Sequence, residues 1–82
     1  MSADEVLALC DGITSDEALM AVMLLNVAGF EAGEIRSALV LDSHKYNSLL
    51  TDGIEAWRHD AVFRAEYDRL VKEVAELYRM AA

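Results

Sequence analysis

The sequence has no proline and few other residues that interrupt helices. Its glycines occur only at positions 12, 29, 33 and 53. Because proline breaks helices and interior glycine weakens them, long helices are permitted, and these four positions are candidate helix ends and turns. The single cysteine, Cys10, excludes an internal disulfide framework and fits a reducing compartment. A chain of 82 residues is expected to form one domain around one modest core.

Basic residues are also scarce, and they are absent from the first part of the chain. Residues 1–34 contain seven acids and no Lys or Arg, whereas residues 35–82 contain eight acids and all seven bases. The formal net charge is -8. We therefore expect the front of the domain to repel polyanions and to suit a basic protein partner. Four of its carboxylates define the acidic face, namely Asp4, Asp11, Asp16 and Glu17.

Long apolar runs are missing as well. The longest, Ala18 to Leu25, is much shorter than the roughly 20 residues that span a membrane. The N-terminus lacks the basic and then apolar segments of a signal peptide. We expect no membrane partner and a cytoplasmic location.

The remaining pattern predicts an all-α fold, a bundle of four to five helices in a single domain, 1–82. Ser2–Glu5 and Thr14–Glu17 each have the spacing of a capping box, which starts a helix. The second helix, about 16–28, is apolar on all sides, so we expect it to be buried in the centre. Gly29 is its expected stop.

The segment at about 32–52 has the spacing of a helix-turn-helix unit. A short helix over about 32–39 is followed by a turn at Val40-Leu41-Asp42 and by a helix that Asp42 or Ser43 caps. That second helix runs to about Leu50, and its apolar period continues through Gly53 to Trp57. In such a unit the second helix can lie in a DNA groove.

Polar and basic groups on this unit are the candidate DNA contacts. Asn and Lys side chains can hydrogen-bond base edges, and Ser can hold a phosphate. We expect base contacts from the outward residues of the second helix and phosphate contacts from the nearest bases, while Tyr46, Leu49 and Leu50 face inward. The predicted contacts are Ser43, His44, Lys45, Asn47 and Ser48, with Arg36, Lys45 and Arg58 on phosphates.

A C-terminal helix over about 60–80 carries an apolar heptad seam. Phe63, Tyr67, Leu70, Val74 and Leu77 are spaced four, three, four and three residues apart. The spacing fits two alternatives, which are packing onto the domain's own core and contact with other copies in a homo-oligomer.

Motifs for catalysis or metal binding are lacking. Cys10, His44 and His59 stand at no interpretable spacing for a nucleophile and its base. Neither HExxH nor an Asp-rich loop occurs, and no glycine-rich loop could hold a phosphate. We expect no enzyme activity, no metal and no cofactor.

One family resemblance rests on residues spread from Ala18 to Tyr67. They are Gly29-Phe30, Glu34-Ile35, Leu39, Leu41, Tyr46, Leu49, Trp57 and Asp60-Ala61-Val62-Phe63. In this order they resemble the small terminase subunits of tailed phages and related phage helix-turn-helix proteins. The family's small residue after Ile35 is Arg36 here, and its turn glycine is Val40. The resemblance implies a ring-forming protein in the bacterial host cell that recognises the viral genome for packaging.

Two functional hypotheses follow. The first is a non-enzymatic, oligomeric DNA-binding protein of this phage type, assembled through the C-terminal helix. It needs several copies, because a specific binder commonly neutralises about 6–10 phosphates and the whole chain has seven Lys and Arg. The second is a small acidic adaptor or inhibitor, in the style of anti-CRISPR or DNA-mimic proteins, which binds a basic protein partner through the acidic face.

Overall fold

The structure is a computed structural model that describes residues 1–81. Within that range the chain forms five helices and no strand, which confirms the predicted all-α bundle. The helices are α1 (Ala3–Ala8), α2 (Glu17–Val27), α3 (Ala32–Leu39), α4 (Ser43–His59) and α5 (Ala61–Ala81).

Helix α2 is the centre of the bundle. It packs against each of the other four helices, and its residues from Met20 to Leu25 are all buried. The prediction that a helix apolar on all sides lies inside is therefore confirmed. Tyr46 of α4 reaches this helix, since its hydroxyl donates to Asn26 Oδ1 at 3.1 Å.

The two predicted capping boxes have different outcomes. Ser2 and Glu5 form theirs, with Ser2 N–H donating to Glu5 Oε1 at 2.9 Å. The box from Thr14 to Glu17 is wrong. Asp16 caps α2, because its Oδ1 accepts from the N–H groups of Ala18 at 2.9 Å and Leu19 at 3.1 Å.

In place of the second capping box, the loop donates hydrogen bonds to a carboxylate that is distant in the sequence. Glu66 of α5 accepts from Thr14 N–H at 2.9 Å and from Ser15 N–H at 3.0 Å. It also accepts from both hydroxyls. These contacts fasten the α1–α2 loop to α5, which no local spacing could have indicated.

Gly29 forms the stop that follows α2, as predicted. Gly29 has φ +96°, a left-handed conformation that costs glycine little. The N–H of Phe30 donates to Leu25 O and that of Gly29 to Asn26 O, both at 3.1 Å. This pair of bonds is a Schellman stop, which satisfies two carbonyls at the end of the helix.

The turn between α3 and α4 is formed without glycine. Val40 takes the left-handed conformation at φ 56°, and Leu41 N–H donates back to Arg36 O at 2.8 Å. Asp42 then caps α4 by accepting from Lys45 N–H at 2.7 Å. The helix pair is present. Its second helix does not end near Leu50, and the continuation through Gly53 that the apolar period allowed is confirmed.

Helix α4 instead continues through Gly53 to His59. Gly53 is buried at the crossing of α4 and α2, where an added Cβ would lie 2.7 Å from Met23 Cγ. The loss of helix propensity at glycine is thus offset by close packing between the helices.

The heptad seam of α5 packs onto the domain's own core. Phe63, Leu70 and Val74 are 1%, 0% and 3% exposed, while Tyr67 and Leu77 are half-buried. Of the two alternatives for the seam, the structure supports packing onto the same chain. The expected contact between copies is corrected for Phe63, Leu70 and Val74, which that packing buries, while Tyr67 and Leu77 remain partly exposed. Among residues 1–81, no helix combines the length and apolarity needed to cross a membrane.

Candidate functional site

The first turns of α4 present the predicted base-contacting side chains to solvent. Tyr46 and Leu49 are buried, so they fix which side of the helix faces the core. The opposite side carries five exposed residues, Ser43, His44, Lys45, Asn47 and Ser48. The structure thus brings the predicted set together on one exposed surface, which we call the α4 surface.

The predicted phosphate contacts are less available. Arg36 is partly buried and donates to the Ser43 hydroxyl, so it joins α3 to α4. Its Nε is enclosed and has no hydrogen-bond partner in the described part of the chain. Arg58 lies 3.4 Å from Glu55 in an exposed ion pair. Of the three predicted phosphate contacts, only Lys45 lies on the α4 surface. Its amine forms no ion pair or hydrogen bond with another residue of the described range.

The charge around the helix pair has the wrong sign for a polyanion. Residues 31–60 contain six acids and three Lys or Arg, a local net charge of -3. A specific binder commonly neutralises about 6–10 phosphates. One copy of this unit lacks the cations for that task.

The acidic face is exposed and carries unneutralised charge. Asp4, Asp11, Asp16 and Glu17 are all exposed. The four ion pairs found among residues 1–81 lie on α4 and α5, at Glu55–Arg58, Glu55–His59, Arg69–Glu73 and Glu76–Arg79. None of these four ion pairs involves a residue of the acidic face.

Two carboxylates are stabilised in their charged form by hydrogen bonds. The Ser15 hydroxyl, followed by the Thr14 backbone N–H, lowers the pKa of Glu66. The backbone and side chain of Ser2 lower the pKa of Glu5. Both effects follow because a donor favours the ionised acceptor.

The candidate catalytic groups are not brought together. Burial, and next the charge of Glu17, raise the pKa of the Cys10 thiol to about 11, so the thiolate is scarce near neutral pH. His59 lies 3.2 Å from Glu55. Within the described range 1–81, no group of three or more metal-ligating side chains is close enough to hold an ion.

The sequence did not indicate a cluster that forms where α4 meets α5. Arg64 donates to Trp57 O at 2.8 Å and to Arg58 O at 2.7 Å, and its guanidinium lies 5.3 Å from the centre of the Trp57 ring. Trp57 Nε1 donates to Asp68 Oδ1 at 3.1 Å. Arg64 thus satisfies the last carbonyls of α4, so this cluster has a structural role.

A depression between α1 and α3 was also not indicated by the sequence. It consists of two hollows with volumes of about 580 Å³ and 380 Å³. One is lined by Ala3, Phe30, Gly33, Glu34, Ser37 and Ala38. The other is lined by Leu7, Cys10, Glu17, Ala18, Ala21 and Leu39. Only the tertiary arrangement of α1, α2 and α3 could reveal it.

Comparisons with known proteins identify no family. No family model matches the sequence, and neither curated proteins nor solved structures gave a significant match.

Proposed function

We propose that this is a non-enzymatic acidic protein that binds a basic surface of a partner protein through its acidic face. The observation that supports the proposal most is the segregation of charge. The carboxylates of the acidic face are exposed, and the ion pairs of the described residues all lie on α4 and α5. A surface of one sign attracts and orients a partner of the opposite sign.

Helix capping explains part of this acid placement. Asp16 caps α2, and Asp4 and Glu17 lie in first turns, where the helix dipole favours negative charge. Capping does not account for Asp11, which lies in the loop after α1. It also does not require the absence of Lys and Arg from residues 1–34. A partner-binding role explains both features.

The test neutralises the face without removing a cap. The variant Asp4→Asn/Asp11→Asn/Glu17→Gln keeps Asp16, which holds the start of α2. The partner is represented by a short, fluorescently labelled helical peptide rich in Lys and Arg. Exposed charge pairs contribute about 0.5 kcal/mol each, so we expect the Kd, measured by fluorescence anisotropy, to rise about tenfold.

A matched control changes the net charge by the same amount elsewhere. Asp52→Asn/Glu73→Gln/Glu76→Gln neutralises three carboxylates on α4 and α5 and is expected to change the Kd by less than about threefold. An equal rise in Kd for both variants would show that binding depends only on the total charge of the protein. That result, or no binding of the peptide near physiological salt, would overturn the proposal.

A second candidate function is DNA binding by an assembled oligomer. The specific observation in its favour is the α4 surface, where five polar side chains remain exposed beside a short helix and turn. Because one copy lacks sufficient bases, this function needs several copies held together by a surface other than the buried part of the α5 seam.

The DNA candidate is tested by titrating labelled duplex DNA at low salt while light scattering reports the mass. It predicts a mass above the 9.1 kDa of one chain and weaker binding by Lys45→Ala/Asn47→Ala. If the protein is a monomer and does not bind the duplex, this candidate function is rejected.

A further inference from the structure

We infer that the depression between α1 and α3 is a docking groove for a basic amphipathic helix of the partner protein. This inference rests on the proposed function and adds to it where the partner sits and what shape it has. We call the depression the α1–α3 groove, with the lining residues given above.

Helices α1 and α3 form the two walls of the groove. Ala3 and Leu7 lie one turn apart on α1, with Cys10 just beyond its end. Ala3 lines one hollow and Leu7 the other. Because residues four apart are neighbours on a helix surface, the two hollows follow one another along α1. The six residues of α1 give this wall a length of about 9 Å, which is between one and two turns of a helix.

One of the two hollows has an apolar floor that includes small side chains. It is lined by Ala18 and Ala21 of α2 together with Leu7 and Leu39. Such a floor admits the close approach of a second helix. A helix spanning two turns would place apolar anchors at positions i, i+3 or i+4, and i+7.

The rim of the groove selects the charge of its occupant. Glu34 lines one hollow and Glu17 the other, and no Lys or Arg lines either. A partner helix with Lys and Arg beside its apolar stripe complements both features. A second copy of this chain is disfavoured by its net charge of -8, and DNA is repelled by the same charge.

The test compares two labelled peptides of identical composition. In the first, Ala and Leu form a helical stripe between Lys and Arg residues. In the second, the same residues are shuffled so that no stripe remains. The groove predicts that the striped peptide binds about tenfold more tightly to the native protein. Equal affinity would overturn the groove but leave binding through the acidic face intact.

Variants that fill the groove locate the contact. Ala18 and Ala38 are exposed helical positions, and Gln is a good helix former, so Ala18→Gln/Ala38→Gln should fold while obstructing the groove. We expect this variant to bind the striped peptide about tenfold more weakly and to bind the shuffled peptide with unchanged affinity. The control Ala65→Gln/Ala75→Gln, at exposed positions of α5, should bind both peptides normally.

Three other outcomes are decisive. Unchanged binding of the striped peptide to Ala18→Gln/Ala38→Gln, with weaker binding to the acidic-face variant, would reject the groove and keep the proposed function. No binding of either peptide would reject both. A dimer in sedimentation velocity that Ala18→Gln/Ala38→Gln dissociates would show that a second copy occupies the groove.

Discussion

At the scale of single residues, Val40 is the clearest case of an unfavourable backbone conformation. Its left-handed backbone, at φ 56° and ψ 57°, is unfavourable for a β-branched side chain by roughly 1–2 kcal/mol. The side chain is 90% exposed, so little packing offsets this cost.

Replacing Val40 by glycine should therefore stabilise the protein. We expect Val40→Gly to raise the free energy of unfolding by about 0.5–1 kcal/mol, after allowance for the greater freedom of glycine in the unfolded chain. Urea denaturation measures this change. Val27→Gly is the control, because Val27 is also exposed but lies in α2, where glycine should destabilise. A loss of stability in Val40→Gly would contradict the strained turn.

At the scale of helices, short-range signals in the sequence predicted most of the boundaries. Gly29 and Asp42 could be identified because a stop and a cap involve only near neighbours in the chain. The capping box predicted at Thr14 is wrong because Asp16 caps α2. Glu66, which is distant in sequence, accepts the Thr14 N–H in place of Glu17. Gly53 could not be assigned either, since its role depends on Met23 of another helix.

The close crossing of α4 and α2 predicts a clash at Gly53. In Gly53→Ala the new Cβ would lie 2.7 Å from Met23 Cγ. We expect a net loss of about 1–2 kcal/mol in the free energy of unfolding, because overpacking outweighs the gain in helix propensity. Chemical denaturation provides the measurement.

Two controls isolate that contact. Gly33 has open space around it, so Gly33→Ala should stabilise by about 0.5–1 kcal/mol through propensity alone. In a Met23→Ala background the clash is removed, and Gly53→Ala should then be neutral or stabilising. If Gly53→Ala were equally harmful in both backgrounds, Met23 would not be the cause.

The attachment of the α1–α2 loop to α5 predicts a dependence on pH. Hydrogen bonds from Ser15 and Thr14 lower the pKa of Glu66 below the ordinary value of about 4.3. Its stabilising contribution is thus complete above that ordinary value and is lost as the pH falls through the lower pKa of the folded state. Glu66→Gln should have a lower Tm than the native protein at neutral pH, and the difference should shrink below about pH 4. A difference that stays constant down to pH 3 would contradict this account.

At the scale of the whole molecule, the sequence indicated which surfaces are apolar or charged, but not what covers them. The spacing of Phe63, Leu70 and Val74 fitted a contact with either the same chain or another copy, and the structure places these residues in the domain's own core. The α1–α3 groove left no sequence signal, because its walls come from separate segments that only folding brings together.

Charge is unevenly distributed among the helices. The ion pairs lie on α4 and α5, whereas the acidic face and the α1–α3 groove share the part of the molecule that α1 and the start of α2 build. The α4 surface lies on a different helix. A bound partner should therefore perturb one of these surfaces and spare the other.

Chemical-shift mapping by NMR distinguishes binding at the acidic face and the α1–α3 groove from binding at the α4 surface. The isotopically labelled protein is titrated with the striped basic peptide. We expect amide resonances to shift on α1 and on the first turns of α2 and α3, while those of Ser43 to Ser48 on α4 remain unchanged. Shifts confined to Ser43 to Ser48 would contradict it and place binding on the α4 surface.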